Sequence, residues 1–101
     1  MPIVEKKLGA EVQSGYSLSQ NHPNPFNPKT QITYTLPHAN YVTLSIYDLL
    51  GKEVQTLVSK FQKAGEYSLH FNAYNLSSGI YFYQLKVGNE FVETKKMMVI
   101  R

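Results

Sequence analysis

Ile80-Tyr81-Phe82-Tyr83-Gln84-Leu85-Lys86-Val87, then Gly88-Asn89, then Glu90-Phe91-Val92-Glu93-Thr94-Lys95-Lys96-Met97-Met98-Val99-Ile100: these two runs and the pair between them decide the fold. In the first run Tyr81, Tyr83, Leu85 and Val87 share one phase of a period-two pattern, the signature of a strand with one buried face. Gly88 offers the positive φ that tight hairpin turns require, so the runs read as an antiparallel hairpin closed by a two-residue loop. Just upstream, Leu76-Ser77-Ser78-Gly79 forms a corner before Tyr81. A tyrosine so placed can turn its hydroxyl back onto the preceding loop, the tyrosine corner of immunoglobulin-like sandwiches.

The same period continues towards the N-terminus. Glu66 to Asn72 alternates Tyr67, Leu69 and Phe71 against Ser68 and His70 after a turn at Gln62-Lys63-Ala64-Gly65. Tyr41 to Leu49 alternates Val42, Leu44 and Ile46 against Thr43, Ser45 and Tyr47, and Asp48-Leu49-Leu50-Gly51-Lys52 has the chemistry to reverse it into Glu53 to Lys60. Thr30 to Leu36 sets Ile32, Tyr34 and Leu36 on one face and stops at Pro37, and Tyr16 to Gln20 is a short first strand. Seven strands at a spacing of roughly 8 to 12 residues, without a helical crossover, predict an all-β, antiparallel, immunoglobulin-like (fibronectin III-like) β-sandwich, with a barrel as the alternative.

Composition agrees with one small domain. The chain has 101 residues, 43% of them hydrophobic and 17% charged, too apolar for a disordered tail and without an apolar run long enough to span a bilayer. It has no Cys, which excludes disulfides, thiolate nucleophiles and thiolate metal sites. Ten Lys and Arg against seven Asp and Glu give a net charge of +3 spread along the chain, which is not a nucleic-acid footprint. Residues 1–15 carry acids and lack the apolar stretch of a signal peptide. They read as a linker or a tail supplied by cloning, leaving residues 16–101 as the domain.

No constellation carries catalysis. His22, His38 and His70 lie in three segments without metal-ligand spacing, and no metal or cofactor is expected. Asp48, Glu53, Glu66, Glu90 and Glu93 sit beside turns or on strands where solvated carboxylates belong, and no Gly-x-Ser-x-Gly elbow or phosphate-cradling loop occurs. The chain therefore reads as a non-enzyme. Eight Tyr and five Phe mostly occupy the apolar phase of their strands, while Tyr47, Tyr74 and Phe82 are off phase. A sugar-stacking aromatic face is the functional alternative to core packing for these rings.

Asn21-His22-Pro23-Asn24-Pro25-Phe26-Asn27-Pro28 stands apart. Its prolines fix φ and remove donors, so it must cross the surface as a stiff link outside any sheet centre, with Phe26 plugging the core. Connector and recognition element are both open readings of it.

Five blocks in order, Pro23-Asn24-Pro25-Phe26-Asn27-Pro28, Tyr47-Asp48-Leu49-Leu50-Gly51-Lys52-Glu53-Val54, Ala64-Gly65-Glu66-Tyr67, Leu76-Ser77-Ser78-Gly79-Ile80-Tyr81-Phe82-Tyr83 and Lys95-Lys96-Met97-Met98-Val99-Ile100-Arg101, resemble the C-terminal sorting domain of type IX secretion cargo, type A. Its fold is similar to the immunoglobulin-like domain of flagellar hook-capping proteins. The resemblance spans residues 16–101. It implies a non-catalytic address for a larger cargo lying N-terminal to it, with the outer-membrane type IX translocon and a cell-surface sortase-like protease as partners. It also implies passage through the periplasm to the cell surface or medium, with removal before the first strand and joining of the cargo to anionic lipopolysaccharide. Carried onto this sequence, Gly79, Tyr81, Lys95, Lys96, Met98, Val99 and Arg101 are the expected sorting residues, Arg101 replacing the commoner final Lys. Pro23 to Pro28, Asp48, Gly51, Gly65 and Tyr67 are motif residues with structural roles. No nucleic acid or small-molecule substrate is expected. An accessory spacer or carbohydrate-binding module of a secreted enzyme is the alternative function.

The last strand of a sandwich can present unpaired N–H and C=O groups to another chain. Residues 94–101 are expected to supply such a contact.

Overall fold

The computed structural model describes residues 15–101. The expected linker or tail, residues 1–15, lies outside the described residues except for Gly15. Seven strands follow in order: β1 (Ser17–Leu18), β2 (Lys29–Leu36), β3 (Asn40–Tyr47), β4 (Glu53–Gln62), β5 (Gly65–Asn72), β6 (Gly79–Val87) and β7 (Phe91–Val99). They form two sheets, β1-β2-β5 and β4-β3-β6-β7, in which every strand pair is antiparallel. This is the all-β immunoglobulin-like sandwich that the alternation predicts.

The core forms where the alternating phases of the two sheets meet. Ile32, Tyr34 and Leu36 of β2 and Phe71 of β5 face Val42, Leu44 and Ile46 of β3, Tyr83, Leu85 and Val87 of β6, and Met97 and Val99 of β7. All are buried, and Leu18, Ala73 and Tyr81 extend the cluster. Apolar burial of this kind, at roughly 25 cal/mol per Å², is the stabilisation available to a chain without cysteine.

Strand boundaries differ by a few residues from the sequence reading, two of them for evident local reasons. β3 stops at Tyr47 because the Asp48 carboxylate accepts the amides of Leu50 (3.0 Å) and Lys52 (2.9 Å), which pulls the chain into a turn. Gly51 completes that turn at φ 87°, where a side chain is disfavoured. The β6–β7 loop holds three residues, not two, because Val87 pairs with Phe91 and the Glu90 amide donates to the Val87 carbonyl at 2.9 Å. The β3–β4 pairing is interrupted twice, between Leu44 and Ser45 and between Ile46 and Tyr47. Such bulges twist an outer strand.

Register defines two poles on a body 47 Å long. Lys29, Tyr47, Glu53, Asn72, Gly79 and Val99 end at one, and Leu36, Gln62, Gly65, Val87 and Phe91 at the other. The described chain enters at the second, where Tyr16 stacks on Phe91 with ring centres 5.4 Å apart. It finishes at the first, with Arg101 beyond the end of β7.

Candidate functional site

At the pole where β7 ends, four of the five motif blocks converge. The β6–β7 register sets Gly79 against Val99, Ile80 against Met98 and Phe82 against Lys96, and the β3–β6 register adds Tyr47 beside Phe82. The Asp48 turn lifts Leu49 and Leu50 into solvent, 67% and 93% exposed. Two shallow grooves adjoin along Ile80: one lined by Asp48, Leu49, Leu50, Ser78, Gly79 and Tyr81, the other by Asn24, Pro25, Lys96, Met97 and Met98. Together with Met98, which is 41% exposed, they make a contiguous apolar surface edged by the Lys96 cation. Exposed apolar patches of this kind mark interaction sites. The fifth block sits at the opposite pole: Gly65 pairs with Leu36, and Tyr67 stacks on Tyr34 at 5.4 Å while donating to the Lys63 carbonyl at 2.6 Å.

The expected sorting residues divide by face. Lys96 and Met98 point outward. Val99 is in the core, and Lys95 shares its inward phase, half-buried with its ammonium 3.2 Å from the Glu93 carboxylate. Tyr81 also turns inward and donates to the Ser77 carbonyl at 2.9 Å, forming the expected tyrosine corner. Gly79 adopts φ 149° with open space where a Cβ would stand, so backbone conformation rather than crowding requires glycine there. Arg101 folds back on the β5–β6 loop: its Nη1 donates to the carbonyls of Tyr74 (2.7 Å), Leu76 (2.5 Å) and Ala73 (3.2 Å), and its amide donates to Ser78 Oγ at 2.9 Å.

The outer edge of β7 is covered from the Lys96 carbonyl to the Ile100 amide, where unpaired groups were expected. The Phe26 amide donates to the Met98 carbonyl at 3.0 Å, the Ile100 amide to the Phe26 carbonyl at 2.9 Å, and the Met98 amide to Asn24 Oδ1 at 2.9 Å. Gln20 Nε2 donates to the Lys96 carbonyl at 2.7 Å. The Pro-Asn link therefore runs beside β7 in a parallel bridge at Val99 and protects the edge. Phe26 meanwhile fills the core as expected, edge-on to Phe71 at 6.3 Å. From Met98 to Ile100 what this strand end presents outward is consequently its side chains rather than its backbone.

Sequence reasoning missed a buried polar network beneath this link. The Tyr83 hydroxyl donates to the Ser19 carbonyl at 2.7 Å and accepts from the Asn21 amide at 2.7 Å, and Asn21 Nδ2 donates to Thr30 Oγ1 at 3.0 Å and to the Pro23 carbonyl at 3.2 Å. Burial pushes the Tyr83 phenol up to about 12, against the opposing pull of the Asn21 amide, and burial raises that of Tyr34 as well. Leu49-Leu50 was the missed surface signal: two large apolar residues in a turn have no packing reason to be there. His22 and His70, remote in sequence, both flank Gln31 on the outer face of the β1-β2-β5 sheet, beside Lys29. Among the described residues no group of three His, Cys, Asp or Glu is placed to hold a metal. The off-phase Tyr47 and Phe82 share a half-exposed groove with Gly51, Gln84 and Thr94.

The described residues thus form an immunoglobulin-like module with an apolar surface, edged by Lys96, at the pole where β7 ends. Residues 20–100 match the family described as the secretion system C-terminal sorting domain, and the chain belongs to that family. It is a C-terminal sorting signal of type IX secretion, which directs export of a cargo protein to the cell surface or extracellular space. Comparison with curated proteins gives no match. Among solved structures, a mutant β-glucosidase from Listeria innocua in complex with laminaribiose is similar with a TM-score of 0.57 at 13% identity, over 85% of this chain and 16% of that one. The β-glucosidase from Listeria innocua in complex with isofagomine is similar with a TM-score of 0.53 at 14% identity, over 86% of this chain and 16% of that one. At such identities the likeness is one of fold alone.

Proposed function

We propose that the outer-membrane type IX translocon reads this domain at the pole where β7 ends, through the outward side chains of Lys96 and Met98 with Ile80, Leu49 and Leu50 beside them. The observation that carries this reading is the convergence of four motif blocks on one pole, opposite the pole where the described chain enters. A cargo joined through residues 1–15 then leaves the surface clear during transit through the periplasm. Tyr81, Val99 and the motif residues Pro23 to Pro28, Asp48 and Gly51 build the surface from beneath, and Gly65 and Tyr67 secure the far end. After export, a sortase-like protease at the cell surface cuts before β1 and joins the cargo to anionic lipopolysaccharide. No step of this requires catalysis by the domain itself.

The test fuses residues 1–101 behind a periplasmically exported fluorescent reporter in a bacterium with type IX secretion. Shortening the chain to Thr94 would remove Met97 and Val99 from the core and confound sorting with unfolding. Lys96→Glu and Met98→Ser are the sharper variants because both side chains face solvent. Delivery of the parent fusion with periplasmic retention of both variants, at melting temperatures within a few degrees of the parent, is the expected result. Equal delivery of all three fusions removes this surface from the mechanism. Binding of polysaccharide by the isolated domain, with no delivery by any fusion, supports the accessory-module alternative.

A further inference from the structure

We infer that Arg101 is a positioning residue whose guanidinium, through Nη1, latches the β5–β6 loop and so holds the wall of the adjoining groove. This rests on the sorting reading above and deepens it. The side chain is engaged within the domain: one nitrogen, Nη1, donates to three carbonyls of a single loop, those of Ala73, Tyr74 and Leu76. Charge-assisted bonds of this kind are the stronger sort, and the two N–H groups of Nη1 are shared among the three carbonyls.

The loop has a second anchor on its far side. Tyr81 Oη donates to the Ser77 carbonyl at 2.9 Å, and Ser78 Oγ accepts the Arg101 amide at 2.9 Å. Between these anchors the Leu76 amide closes a turn onto the Ala73 carbonyl at 2.9 Å. The next residues, Ser78 to Ile80, form the wall of the groove shared with Leu49 and Leu50. Arg101 and Tyr81 thus hold the same loop from two sides, and the groove wall hangs from it.

Amide hydrogen exchange on the 101-residue chain and export of the reporter fusion are measured for the parent, Arg101→Lys, Arg101→Gln and Tyr81→Phe. A latch predicts that the Leu76 amide exchanges about tenfold faster in Arg101→Gln and in Tyr81→Phe. Export should then fall in both, although Tyr81→Phe keeps the charge at 101, and Arg101→Lys should follow its own exchange rate. Direct reading of the charge predicts full export of Arg101→Lys and Tyr81→Phe whatever their loop exchange, and that pattern overturns the inference. Unchanged Leu76 exchange in Arg101→Gln overturns it as well. Failure of the parent fusion to leave the periplasm defeats the sorting reading instead, and the exchange rates alone then uphold or overturn the latch.

Discussion

Tyr83 shows how a single buried hydroxyl ties the N-terminal link to the core. It donates to Ser19 and accepts from Asn21, two residues more than sixty positions away in sequence. Burial pushes its pKa up to about 12 from an ordinary 10.0. Below pH 10 the phenol is protonated in both folded and unfolded chains, and its stabilisation is fully present. Between pH 10 and 12 the unfolded chain releases the proton while the folded one holds it, so stability falls by about 1.4 kcal/mol per pH unit. Urea titrations at pH 8 and pH 11.5 should show this fall in the parent chain and a shallower one in Tyr83→Phe. At pH 8 that variant should itself be less stable by about 1–3 kcal/mol, because the Asn21 amide and Ser19 carbonyl lose their partner. Identical alkaline slopes in the two chains would remove Tyr83 as the titrating group. Gly79 illustrates a different constraint: at φ 149° with space around it, Gly79→Ala should cost about 1–3 kcal/mol through the backbone alone, read as a lower urea midpoint with no change in slope.

Between elements, the Pro-Asn link and β7 act as a unit. Three prolines make the link unable to enter a sheet centre, and it instead lends two backbone bonds and the Asn24 side chain to the one edge it can follow. Phe26→Ala should cost about 3–5 kcal/mol by opening a cavity against Phe71. It should also expose the β7 edge, read as faster exchange of the Ile100 amide and greater self-association on concentration. The strands were legible in the sequence because period-two burial is written in side chains, as in Tyr81, Tyr83, Leu85 and Val87. The plug role of Phe26 was legible as the one aromatic of a proline-rich link, and the corner role of Tyr81 from its place just after Leu76-Ser77-Ser78-Gly79. The cover over β7 was not, since a backbone bridge between Phe26 and Val99 leaves no side-chain pattern to read. Nor was the inward turn of Lys95 apparent beside Lys96: adjacent lysines look alike until the register assigns one to each face. Arg101 looked like a free signal because its acceptors are carbonyls, which every residue type supplies.

Across the whole molecule, strand register separates the pole where the described chain enters from the pole where four motif blocks meet. The two sets of loops should therefore differ in what they tolerate, even where local stability is equal. Pro37 to Ala39, Lys63-Ala64 and Gly88 to Glu90 connect strands at the entry pole, and Asp48 to Lys52 and Ala73 to Ser78 do so at the other. A five-residue Gly-Ser insertion between Asn89 and Glu90 lengthens an exposed loop tip, a change that folded domains generally accept at small cost. Reporter export should be retained there. The same insertion between Leu49 and Leu50 lies on an equally exposed hairpin loop, so its stability cost should be similar, yet it splits the apolar surface beside Ile80. Export should then fall at least tenfold while the melting temperatures of the two insertion variants stay within a few degrees of each other. If instead the Asn89–Glu90 insertion blocked export and the Leu49–Leu50 insertion did not, recognition would lie at the entry pole. The domain would then be read next to its cargo rather than from its far end.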